Sequence, residues 1–195
     1  MKNIILMFFI FLLTSCSIFS PLKNNATTYR LTATPHPICQ YSNRHNLVVA
    51  PVQSVPIYNT NLIAYSTHPY QIAYFAKNTW AATPADMLQP LIIETLQNTH
   101  YFHAVNSSQM TGHYDYILNT QLIELQQNFY PAYSVVRLTL RAQLVSAAHG
   151  YIIAAKEFSV TETAPQNTPY GGVIAANHAT TRLLAQLAQF CLQKL

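Results

Sequence analysis

The chain has 195 residues, of which only 8% are charged: ten Lys and Arg against six Asp and Glu, for a net charge of +4. That lies well below the ~25% of an ordinary soluble domain, yet beyond position 16 no apolar run reaches the ~18 residues a membrane span needs, which excludes a polytopic membrane protein. Thirteen Tyr and nine Phe exclude disorder, and ten scattered basic residues exclude a nucleic-acid-binding stripe.

In chain order, Lys2 and the ten-residue apolar run Ile4–Leu13 have the form of a secretory leader, too short to span a bilayer. The run ends in Leu13-Thr14-Ser15-Cys16, the pattern of a bacterial lipobox: an apolar residue, two small residues that let the backbone enter a peptidase, then the thiol that takes diacylglycerol. Cleavage makes Cys16 the first residue, and several acyl chains at ~0.8 kcal/mol per buried CH₂ form a stable anchor. Ser17 follows rather than Asp, so in a double-membraned bacterium the expected address is the inner leaflet of the outer membrane, facing the periplasm. Residues 17–28 lack periodicity and read as a tether. The division expected is therefore 1–15 signal peptide, 16–28 lipidated Cys and tether, and 29–195 a single domain.

Within that domain Tyr29–Ala33 and Leu47–Val52 read as short strands, the second ended by Pro51 and Pro56. Residues 62–80 are rich in Tyr and β-formers around His68-Pro69 and suggest a hairpin. Thr83-Pro84-Ala85-Asp86 is a helix start, with Thr as N-cap and Pro at the first helical position. Leu88, Leu91, Ile92, Thr95 and Leu96 then mark one face. Pro90 falls inside this helix, where it is expected to kink it or cost about 3 kcal/mol. Strands follow at Tyr101–Val105, Asp115–Asn128, 133–146 and 151–163, the last two forming a hairpin; Val136, Leu138, Leu140, Ala142 and Leu144 alternate with polar residues, as in a sheet with one wet face. Gly171–Leu195 reads as a final helix with Val173, Ala176, Thr180, Leu183, Leu184, Leu187, Phe190 and Cys191 on one stripe. The expected fold is a two-layer α+β domain: a mostly antiparallel sheet of about five strands with two amphipathic helices.

Catalytic signals are thin. No nucleophile elbow, dinucleotide fingerprint or P-loop occurs, and four Gly cannot build a phosphate cradle, so the chain is read as a non-enzyme without cofactor beyond the acyl anchor. His100-x-x-His103 with His113 has ligand-like residue types, but scattered surface histidines account for it and no metal is expected. Cys39 and Cys191 leave two readings open, a disulfide in an oxidising periplasm or a buried apolar thiol at Cys191. Tyr70, Tyr74, Phe75 and Trp80 are candidates for a partner- or lipid-binding surface, with burial in the core as the alternative.

Residues 69–96, in which Tyr74, Phe75, Asn78 and Trp80 precede Pro84, Met87 and Leu88, resemble the central signature of the ABC-type transport auxiliary lipoprotein family. Tyr29-Arg30-Leu31, Leu122–Phe129, Val136–Leu144 and Pro169–Ala176 extend the similarity in the same order over most of residues 29–192. The resemblance implies a non-catalytic partner of an MCE-type intermembrane lipid transport system. An MCE-domain protein, an ABC permease with its ATPase, and phospholipid are the implied partners; a homo-oligomer is compatible with it, and nucleic acid is not among the partners. The alternative is a free-standing envelope lipoprotein that binds a lipid or other apolar ligand.

Overall fold

The computed structural model describes residues 26–32, 35, 45–107, 113–130 and 132–195. Cys16, Cys39, the leader and the tether as far as residue 25 lie outside the described residues.

The spine of the sheet is β7 (Tyr116–Asn128), which is long enough to template neighbours along both edges. On one edge lies β8 (Val135–Ser146), antiparallel and in register from Tyr116↔Ser146 to Asn128↔Val135, with a bulge between Leu122 and Glu124. Beyond it β9 (Ile152–Thr163) completes the hairpin that alternation indicated, closed by a turn in which Gly150 takes φ +70. On the other edge one pass of chain is laid end to end in three parallel pieces. These are β2 (Asn46–Val49) against Tyr116–Leu118, β3 (Gln53–Ser54) against Gln121 and Leu122, and β4 (Leu62–Ser66) against Gln127 and Asn128. Pro51 and Pro56 have no N–H for the ladder, so the pass breaks at each, the second time into a 3-10 turn over Pro56–Tyr58. Outside these, β6 (Ala104–Ser107) runs parallel to β2, β5 (Ala73–Trp80) antiparallel to β4, and β1 (Thr27–Tyr29) parallel to β5.

Among the described residues the sheet is thus mixed and nine-stranded, not the mostly antiparallel sheet of about five strands expected. Strands of two to five residues carry no readable periodicity, and their direction is set by where β7 receives them. The parallel β2–β6 pair needs a crossover, and the first helix supplies it.

Both helices lie on one face. α1 (Pro84–Gln97) starts at Thr83, whose hydroxyl oxygen accepts the Asp86 N–H, and buries Leu88, Leu91, Ile92, Thr95 and Leu96 as the spacing requires. Pro90 does not end it. Pro90 is exposed, and so is Asp86, whose carbonyl loses its helical partner, so the break in the ladder lies on the solvent side of the helix. Gln89, on the sheet side, spans the gap in the β2–β3 pass: its amide accepts the Val52 N–H at 2.8 Å and donates to the Val49 carbonyl at 3.2 Å. α2 (Pro169–Lys194) begins two residues before the expected Gly171, because Thr168 caps it by accepting the Gly171 N–H. Its stripe packs on β8 and β9, with Phe190 edge-on to Phe158. Each fully buried Leu in this layer contributes about 1.5–3 kcal/mol. The other face is polar, carrying exposed Arg137 and Arg141, half-buried Gln143 and a buried Thr139 whose hydroxyl meets that of Ser159 at 3.0 Å, with Arg141 paired to Glu157 at 3.0 Å.

Candidate functional site

The parallel register of β4 and β7 decides what stands at one end of the sheet. Because Tyr65 pairs with Gln127 and Ser66 with Asn128, the β4–β5 and β7–β8 turns leave the sheet side by side, and the Phe129 N–H donates to the Ser66 carbonyl at 2.8 Å. Three rings form the floor: Tyr65 and Phe75 stack at 4.3 Å and 17°, and Phe129 stands edge-on to both. Gln127 holds this end together from inside. Its buried amide nitrogen donates to Ser134 Oγ at 3.0 Å and to the Thr168 carbonyl at 3.1 Å, so one side chain joins β7, the start of β8 and the cap of α2. Gly172 leaves room for this arrangement: a Cβ there would lie 2.1 Å from the Gln127 Oε1 and would push the amide out of place.

On this floor Tyr70 is wholly exposed, and Tyr130 and Tyr133 are 49% and 70% exposed. Tyr70 adopts φ +65, the left-handed region that costs a bulky residue roughly 1–2 kcal/mol. The sequence of the three segments at this end, residues 66–72, 129–134 and 163–170, contains no Asp, Glu, Lys or Arg.

The four aromatic candidates separate. Tyr70 and Phe75 belong to this end. Tyr74 is half-buried, its hydroxyl donating to the Ile57 carbonyl at 2.8 Å, and it braces the 3-10 turn. Trp80 is 3% exposed and lies in the core, so it contributes no surface: period-2 alternation along β5 cannot tell which face a second helix will cover. Phe129, Tyr130 and Tyr133 were not singled out by the sequence reading, although an aromatic-rich, uncharged turn between two long strands was a signal for them. Cys191 is fully buried on the α2 stripe, and burial pushes its thiol up to about 12.

The opposite end of the sheet is built from different chemistry. Asp115 accepts the Asn46 N–H at 2.7 Å, with His45 Nδ1 at 3.5 Å and His113 Nε2 at 3.7 Å. The Asn46 N–H, helped by the two imidazoles and opposed by desolvation, holds the Asp115 carboxyl below the usual carboxylate range. His45, His113 and Asp115, with Tyr114, Ser146 and His149, line an open cleft of about 440 Å³. His100 and His103 are exposed nearby, and among the described residues no His, Cys, Asp or Glu trio is arranged to hold a metal ion.

Other carboxylates have structural work. Asp86 receives the Thr83 hydroxyl in the cap of α1, while Glu157 and Glu162 pair with Arg141 and Arg182. Glu124, half-buried beneath the 3-10 turn, is pushed up by desolvation, against the opposing pull of Arg137. Next to it the Tyr58 hydroxyl donates to Gln126 Oε1 at 3.0 Å, and burial keeps that phenol protonated above its ordinary value.

Comparison with solved structures finds the same fold in a protein from Xanthomonas campestris (TM-score 0.79, 18% identity, covering 86% of this chain and 96% of that one). A hypothetical protein from Chlamydia trachomatis is a more distant likeness (TM-score 0.56, 7% identity, 78% of this chain and 98% of that one). A search of curated proteins finds no significant sequence match. The profile of the ABC-type transport auxiliary lipoprotein component matches residues 29–188, from β1 to the last turns of α2. The chain belongs to the ABC-type transport auxiliary lipoprotein family.

Proposed function

We propose that the protein is the lipid-anchored, non-catalytic auxiliary component of an ABC-type intermembrane phospholipid transport system. In this reading acylated Cys16 holds the domain at the inner leaflet of the outer membrane, facing the periplasm. An MCE-domain protein handles lipid between the membranes, and the permease and ATPase supply the driving force from the inner membrane. The observation that carries the reading is the extent of the family match: it covers nearly the whole folded domain and leaves outside it, at the front, a segment with a leader and lipobox.

The site supports a binding role. Five of the six carboxylates either secure backbone, pair with arginine or cap a helix, or lie half-buried under the 3-10 turn. No group beyond the acyl anchor is called for. The alternative, a free-standing lipoprotein enclosing a lipid, needs an apolar cavity of several hundred Å³. The apolar void between Trp80, Leu125, Val136 and Ala176 measures about 10 Å³, room for a single water at most.

Affinity purification of the full-length lipoprotein from membranes in mild detergent is expected to recover an MCE-domain protein or its permease. Recovery of neither overturns the reading.

A further inference from the structure

We infer that the uncharged tyrosine end of the sheet rests on the head-group layer of the bilayer that holds the anchor, so that the domain stands with its histidine end directed away from that membrane. The inference rests on the proposed acylation of Cys16 and adds to it an orientation and a contact surface.

The first observation is chemical. Tyr70, Tyr130 and Tyr133 project from two neighbouring turns, and residues 66–72, 129–134 and 163–170 carry no formal charge. An apolar ring with a hydroxyl at its tip suits the boundary between hydrocarbon and water, where Tyr and Trp concentrate in membrane proteins. Carrying an ion into that boundary is costly, and here none would have to be carried.

The second observation is mechanical. The tyrosines stand on a fixed base: the Tyr65–Phe75–Phe129 cluster and the Gln127 amide tie both turns to the sheet and to α2. Tyr70 is held in a left-handed conformation with its ring entirely in solvent. That combination does nothing for the stability of the domain.

The third observation is where the chain enters. β1 runs parallel to β5, and Thr27 pairs with Asn78, so the chain comes into the sheet from the direction of the β4–β5 turn that bears Tyr70. Asn78 stands five residues along β5, about 17 Å from its start at ~3.3 Å per residue. The eleven residues from Cys16 to Thr27 reach at most about 36 Å, enough to pass that turn and no more than a short distance beyond it. A membrane is therefore the surface this end meets at high effective concentration. A protein partner is the weaker fit, because these turns offer no charge for steering or register.

The test uses the full-length acylated protein reconstituted in phosphatidylethanolamine vesicles containing brominated phosphatidylcholine, with Tyr70→Trp, Tyr130→Trp and Tyr133→Trp made singly and Tyr151→Trp as the control. Tyr151 is 59% exposed and immediately precedes β9 at the histidine end, while native Trp80 is buried and gives a constant background. The expected result is a blue shift and loss of most of the added emission for the first three variants, with Tyr151→Trp unquenched. Solvent-like, unquenched emission from all three, or quenching of Tyr151→Trp instead, overturns the orientation while leaving the anchor intact. Cys16→Ser separates the two levels. If that variant still fractionates with membranes as the parent does, the lipoprotein reading falls and the orientation falls with it.

Discussion

At one end of β7, Asp115 draws together His45, His113 and the first residue of β2 around an open cleft. At the other, Gln127 joins β7 to the start of β8 and to the cap of α2, beside two turns that carry three exposed tyrosines and no Asp, Glu, Lys or Arg. Both ends are organised by one side chain reaching across segments distant in sequence, but the consequences for the surface are opposite. The carboxylate leaves a titratable, hydrated rim, whereas the neutral amide satisfies backbone and hydroxyl groups without bringing an ion to the surface. A domain with so few charges can therefore still be strongly asymmetric, because what matters is which end the charges occupy.

The sharpest way to break this comparison is through Trp80, which neighbours the tyrosine end in sequence but belongs to the core. Trp80→Ala is expected to cost about 3–5 kcal/mol, the range for deleting a large aromatic from a packed interior. Denaturant unfolding checks it; a loss below about 1 kcal/mol would return Trp80 to the surface set.

A smaller effect, confined to acid conditions, is expected at the histidine end. The folded-state pKa of Asp115 is lowered, so its contribution is present above the ordinary carboxylate range near pH 4 and lost as pH falls through the folded value. Asp115→Asn should lower stability at neutral pH and flatten the acid limb of the melting temperature against pH. An unchanged acid limb would mean that the carboxylate does not organise that end.

The smallest effect belongs to the tyrosine end. Tyr133→Ser is expected to change folding stability by no more than about 0.5 kcal/mol, as for an exposed site without packing duties. Thermal unfolding reads this directly, and a large loss would show the ring to be structural rather than presented.

Much of this was legible in the residues. Thr83 and Asp86 announce the start of α1, and the 3.6-residue stripe of α2 names the side chains that become buried. Alternation along Val136–Leu144 identifies the buried face of β8. The aromatic end was legible only in part. Tyr70 and Phe75 stood out by density, but Tyr130 and Tyr133 gain their meaning from a neighbour more than fifty residues earlier. The cost of Pro90 was not legible for a related reason, since it depends on whether the freed carbonyl meets water or core.

The sequence by itself determined the helices, the long strands and the scarcity of charge, because each is written in local order or composition: a cap, a period, a count of ionic side chains. Only the tertiary structure decided that the sheet is mixed, that Trp80 is interior, and that two uncharged turns lie together. Those outcomes depend on the direction in which β2, β3 and β4 meet β7. Strands so short have no pattern of their own, and the long strand sets their place.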